Sequence, residues 1–390
     1  MINISKAVSH ELINWHLQSV RKNFCKVFLE DGATLRDESK VGKLSFERKF
    51  YRDMCVSKET CRELIGCSTS DLENFFDSSL FKRYQIYFIF CLPEELRKPY
   101  YTKPYFQHFF RYIPREFYHS YEPQSLDSIA QKVQSRAKIF FDYDRFSKVV
   151  DKKFKDGKWN GYSFSKKLGI KVCPSCNFSD SDTVYSSEIE KKGQIRVISR
   201  APLDHFYCKS KYPFLALSAF NLIPSCERCN NSLKRGVDYM VKKHLRPYIE
   251  GLEDFATFIC EPKIIDKDFV KDIFNSNRID VENYRFDVVC KKNKSKGVEN
   301  LASERSANSL TTIKIIERYN NNMKTHKAFF KKLFKISDDY LEQQLKLDPG
   351  MTKKELIEDL LEIDFSGDNE TYSYFALLKK NVAQKILSMK

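Results

Sequence analysis

The chain has 390 residues, 42% hydrophobic and 14% aromatic, which suits two or three folded units and excludes a disordered composition. A formal net charge of +15 at pH 7 favours an anionic partner, nucleic acid before a membrane surface. No basic-then-apolar start marks a secretory signal, and the longest strongly apolar run, Tyr84 to Leu92, is too short to span a bilayer. A cytoplasmic protein with no membrane contact is expected.

Residues 1–155 read as a mostly helical region. Ile13, Leu17, Val20 and Phe24 recur at helical spacing, as do Leu72, Phe75 and Phe76 after the cap-like Ser70 and Asp71. From Pro99 to Tyr121 many aromatic rings alternate with Lys103, Arg111 and Arg115. Such a stretch can stack bases, but an aromatic core with a basic rim is the stronger reading. Asp151 to Gly161 is polar and reads as a linker or exposed loop.

Residues 165–250 hold the strongest signal. Cys173-Pro-Ser-Cys176 and Cys226-Glu-Arg-Cys229 are two CxxC pairs. Each can turn two thiolates toward one ion, and together they supply the four ligands of a closed structural Zn2+ site. A redox pair would explain one CxxC and leave the other unused. The remaining eight cysteines read as free thiols.

Between the knuckles, alternation from Ile195 to Arg200 predicts a strand ending near Asp204 and His205. A long connection follows, with a short helix at Phe214–Phe220. Asn221 to Ser225 reads as a second strand, and Asn230 opens a helix toward Lys234 and Arg235. This order brings Asp204, His205 and Asn230 together. The Asp204 carboxylate and the Asn230 amide oxygen suit a hard divalent cation, Mg2+ or Mn2+. His205 is then free to act as general base, and Asn221 can orient the imidazole. Asn231, next to Asn230, is the alternative ligand.

Asp204-His205, Asn221 and Asn230 between two CxxC pairs resemble the HNH (ββα-metal) endonuclease superfamily, in its zinc-knuckle branch. The string Leu203-Asp-His-Phe-Tyr-Cys-Lys-Ser-Lys-Tyr-Pro213 with Asn221-Leu-Ile-Pro-Ser-Cys226 resembles bacterial HNH proteins of anti-phage defence loci. Ile316-Glu-Arg-Tyr-Asn320 with Lys327 extends that likeness to about residue 335. One departure is Cys208, where that group usually has Pro. The resemblance implies a ββα-metal core in an α+β chain. It makes Asp204 and Asn230 ligands of a catalytic Mg2+ (or Mn2+), His205 the base and Asn221 the orienting residue. It also implies a defence role; a regulatory protein partner is expected because a free nuclease of low specificity would harm its host.

Residues 171–250 carry 13 Lys or Arg against 8 Asp or Glu, a net +5. Arg196, Arg200, Lys209, Lys211, Arg228, Lys234 and Arg235 lie around the site in sequence and are the expected phosphate contacts, DNA more than RNA, with low sequence specificity. The competing expectation is a non-catalytic zinc module that binds nucleic acid or a protein. Beyond it, residues 251–390 read as a mostly helical region with strands at Phe255–Cys260 and Tyr284–Cys290. Helices are expected over Thr312–Phe334, Lys353–Ile363 and Tyr374–Met389.

Overall fold

A computed structural model describes residues 1–32, 44–110, 123–148, 160–190, 194–263, 281–291, 298–366 and 373–387. The fold mixes many helices with three two-stranded antiparallel sheets, and is thus compatible with the α+β class. Among the described residues no helix is long and apolar enough to cross a membrane. The linker expected over 151–161 lies almost wholly outside the described residues, as do Arg111, Arg115 and the end of the aromatic stretch.

Two hydrophobic cores organise the chain. The first gathers the N-terminal helices. The helix His10–Gly32 buries Leu12, Leu17, Val20 and Phe24 on one face, as an apolar stripe at helical spacing requires. Phe24 stacks on Phe140, and Phe50 on Tyr87, each with ring centroids 4.2 Å apart. Inside this core Arg136 bonds both carboxylate oxygens of Glu47, a buried pair whose loss on one side would strand a charge. The helix Thr69–Glu73 is capped by Ser68, not Ser70, and Asp71 closes the capping box.

The second core holds the C-terminal part. Strands β5 (Ala256–Pro262) and β6 (Tyr284–Cys290) pair along their whole length, close to expectation. Asn320 bonds both the N–H and the carbonyl of Phe286, and Asn381 accepts from the Phe258 N–H at 3.0 Å, so helices fix the sheet through its backbone. The helix expected over Thr312–Phe334 is in fact divided. Lys314 adopts a left-handed conformation, φ 55°, between the helices Val298–Ile313 and Ile315–Asn320. Ile313 and Ile315 are both buried. Residues two apart on a continuous helix point to opposite sides, so the break lets both enter the core.

Residues 165–250 have no core of their own. Leu203, Phe206, Phe214, Leu222 and Ile223 join the N-terminal core, while the four CxxC cysteines and Leu245 join the C-terminal one. An ion-pair knot ties all three parts together. Arg305 bonds Glu73 at 2.5 Å and Glu250 at 2.8 Å, and Arg246 bonds the same two acids.

The strand expected to run into Asp204 is two separate strands. β1 (Thr183–Glu190) pairs with β2 (Gln194–Arg200), a hairpin whose first arm the alternation did not reveal. After Ala201 and Pro202 the chain changes partner: β3 (Leu203–His205) pairs with β4 (Leu222–Pro224). Pro202 lacks the N–H that a continuing ladder needs, and its carbonyl instead accepts from the Ser225 N–H at 2.9 Å.

Candidate metal centre and acid–base cavity

The first knuckle is a tight turn. The Cys173 N–H donates to the Ser179 carbonyl at 2.9 Å, and the Asn177 N–H to the Cys173 carbonyl at 2.7 Å. Asn177 takes φ 49°, a left-handed position that Asn tolerates better than most residues. The second knuckle enters a helix of wide, π-type turns, Arg228–Lys234, which places Cys229 just after its start. Such turns are frequent at functional sites.

The four sulfurs of Cys173, Cys176, Cys226 and Cys229 are buried and lie within 4.8 Å of one another. Tetrahedral thiolates about 2.3 Å from one zinc ion stand about 3.8 Å apart, and the Cys176 and Cys226 sulfurs are 3.9 Å apart. The group can hold a metal ion such as zinc. Arg318 donates to the Cys229 sulfur at 3.2 Å, a cation placed where four thiolates around a divalent ion leave excess negative charge. The Tyr319 hydroxyl donates to the Cys176 carbonyl at 2.7 Å.

Asp204 and His205 end β3, each 8% exposed. They face a cavity of about 320 Å³ that is also lined by Tyr143, Lys209, Asn230, Asn231 and Lys234. The proposed ligands and base thus share one wall space, and both Asn230 and Asn231 border it. The His205 Nε2 is 3.1 Å from the Ala216 carbonyl. A carbonyl only accepts, so Nε2 carries the proton and Nδ1 the lone pair. Burial, with help from the Lys209 charge, pushes the His205 pKa down to about 3, and the ring is neutral.

Asn221, fully buried, does not bond the imidazole. Its Oδ1 accepts from the Tyr207 N–H at 2.7 Å, and its Nδ2 donates to the carbonyls of Tyr207 at 3.1 Å and Leu215 at 2.9 Å. It therefore fixes the connection whose next carbonyl, Ala216, holds His205. His16, which carried no motif, donates in the same way to the Leu217 carbonyl at 2.8 Å. The buried connection has carbonyls that need partners, and side chains from distant parts of the chain provide them. The short helix expected at Phe214–Phe220 is two single turns, Pro213–Leu215 and Ala219–Asn221.

Tyr143 was not foreseen. It packs edge-on against His205, ring centroids 4.3 Å apart, and its hydroxyl donates to the Leu203 carbonyl at 3.1 Å. It lies 60 residues upstream of Leu203, beyond the reach of any local pattern.

The expected phosphate contacts divide. Arg228 and Arg235 are exposed, while Lys209 is half-buried and pairs with Asp144 at 3.0 Å. Lys211 is half-buried and pairs with Asp238 at 3.2 Å. The Arg200 guanidinium is committed to the fold: it donates to the carbonyls of Ala201 and Ser147 and lies over the Tyr162 ring. Lys234 is buried and bonds Asp204. Both cations are thus drawn inward by partners of the fold, which charge counting along a sequence does not reveal. Arg196 belongs to β2, and its side chain is outside those described. His244 stacks on Tyr239 at 3.7 Å and bonds Thr312, as a core histidine. No family model, curated protein or solved structure matches the chain.

Proposed function

We propose that this protein is an HNH-type endonuclease that hydrolyses phosphodiester bonds in nucleic acid, DNA more than RNA, with low sequence specificity. The observation that carries the reading is one cavity bordered by Asp204, His205, Asn230 and Asn231, with the imidazole held in the tautomer that leaves Nδ1 to accept a proton. The donor set, one carboxylate and one or two carboxamides, fits a hard cation and not a soft one. Magnesium or manganese bound there would supply charge stabilisation at the phosphate and the leaving oxygen.

The chain's own residues do the rest. His205 takes a proton from water at Nδ1. Ala216, held in place through Asn221, and Tyr143 keep the ring from turning. A low pKa makes a poor base, and the negative charge of a phosphate in the cavity would offset part of the cationic surroundings that lower it. Arg228 and Arg235 remain as exposed cations for the strand, with the half-buried Lys209 at the cavity's edge. The sulfur cluster takes no part in the chemistry and fixes the helix that carries Asn230. The family likeness adds a role in anti-phage defence, and the harm a free nuclease would do its host argues for control by a protein partner.

A second reading is a non-catalytic zinc module that binds nucleic acid or a protein. The full engagement of Asp204 by Lys234 favours it. Plasmid cleavage by wild type and His205→Ala, with magnesium present or chelated, separates the two. Magnesium-dependent cutting lost in His205→Ala supports the nuclease, and equal cutting by both proteins removes His205 from the mechanism. An inactive wild type with metal supplied favours the binding module.

A further inference from the structure

The Lys234 ammonium has three hydrogens, and all are spent. Two go to Asp204 Oδ1 at 2.8 Å and Oδ2 at 2.9 Å, and one to the His205 carbonyl. Its open side lies 4.6 Å over the Tyr239 ring, a favourable seat for a cation. Lys234 is only 5% exposed. A compact cation thus already sits on the carboxylate that the nuclease reading assigns to a divalent ion.

A carboxylate has about four lone-pair positions, so two cations can share it. Their mutual repulsion is the difficulty. The cavity's described lining has one acid, Asp204, against two lysines, Lys209 and Lys234. Asp144 pairs with Lys209 at 3.0 Å, so the charges in and beside the cavity sum to zero before any metal arrives and to +2 with a divalent ion bound. Charges this close and poorly hydrated repel strongly. A nucleic-acid strand brings one negative charge per phosphate, which offsets the excess and offers the lysine a new oxygen to bond.

We infer that Lys234 is the resident counter-ion of Asp204, and that it keeps the site's affinity for divalent ions low until a nucleic-acid phosphate enters. Metal and nucleic acid then load cooperatively, and by linkage each tightens the other by the same factor. The inference rests on the nuclease reading, and goes beyond it in assigning Lys234 the control of metal loading. A nuclease with weak sequence preference gains from such coupling, because the unloaded protein has little catalytic metal.

Mn2+ binding to the zinc-loaded full chain, read by electron paramagnetic resonance, tests this without reference to turnover. Wild type, Lys234→Met and Asp204→Asn are compared with and without a short phosphorothioate duplex. Without the duplex, Lys234→Met should bind Mn2+ roughly tenfold more tightly than wild type, because one nearby positive charge is gone. Adding the duplex should tighten Mn2+ binding in wild type by a similar factor and in the variant by much less. Lys234→Gln, which keeps a donor for Asp204 without the charge, replaces Met should that variant unfold. A Lys234 variant within about twofold of wild type, or weaker, overturns the inference while leaving the nuclease reading intact, provided Asp204→Asn abolishes the Mn2+ site. If no Mn2+ site depends on Asp204 in any arm, both fall.

Discussion

The sulfur cluster and the acid–base cavity are neighbours in the sequence and opposites in construction. The cluster is fully enclosed, made of four identical donors, and sits in the C-terminal core. The cavity is open to a ligand, made of unlike groups, and borders the N-terminal core through Tyr143. A saturated centre can only hold the chain together, whereas a centre with unused lone pairs and free volume can act on something else. The same residues, 226 to 234, serve both: Cys226 and Cys229 face one way, and Asn230 and Lys234 the other.

That contrast can be broken most forcefully at the sulfurs. Cys173→Ser or Cys229→Ser should remove the bound zinc and cost on the order of 4 kcal/mol or more of stability. Metal analysis should give one zinc per chain in wild type and a fraction of that in the variants, with a matching fall in Tm. Retention of full zinc and an unchanged melting curve would refute the scaffold role. Asp204→Asn should keep the zinc, with a smaller fall in Tm because the buried Lys234 loses its counter-charge.

Acid is the next lever. Burial lowers the pKa of His16, His244 and His326 each to about 4. Between pH 6.5 and about 4 the unfolded chain therefore binds more protons than the folded one, and stability falls as pH falls. Each histidine should contribute on the order of 2 kcal/mol of loss by pH 5. Chemical denaturation at pH 7 and pH 5 reads the sum, and His16→Gln, which keeps a donor for Leu217, should show a shallower slope. An equal slope in that variant would remove His16 from the account.

Asn221→Ala sharpens the cavity side. It strips three hydrogen bonds from a buried connection and should cost about 3 kcal/mol. It should also lower any cleavage by more than the loss of folded protein explains, because the Ala216 carbonyl is no longer fixed. The smallest effect is expected for Tyr143→Phe, which loses one hydrogen bond to Leu203, about 1 kcal/mol. It keeps the ring against His205, so cleavage should stay near the wild-type level, whereas Tyr143→Ala should reduce it.

Legibility in the sequence followed the length scale of each interaction. The CxxC pairs are local, since two thiolates three positions apart need only a tight turn, and the structure brings all four together. Asp204 with His205, and β4 with its start near Asn221, were readable for the same reason. The role of Asn221 was not, because its partners Tyr207 and Leu215 are backbone groups of a connection with no regular pattern. Pro202 ended β2 two residues before β3 began, and alternation alone saw one strand. Lys314 broke a helix whose apolar period looked continuous. Lys234 was counted among the phosphate contacts, and its bond to Asp204 was not read, although its position four residues after Asn230 would have put both on one side of a helix. Tyr143 and His16 left no trace that a sequence can show.

The Pro213–Ala219 connection has its carbonyls clasped by His16, His205 and Asn221, groups scattered over 206 positions of chain from the first to the last. No fragment spanning only the two knuckles contains this clasp. Such a fragment keeps His205, Asn221 and the Ala216 carbonyl but loses His16 and Tyr143, so the ring would be held less firmly even with zinc in place. The cavity's geometry thus depends on the N-terminal core, and a cut between the two would disturb the cavity before the sulfur cluster.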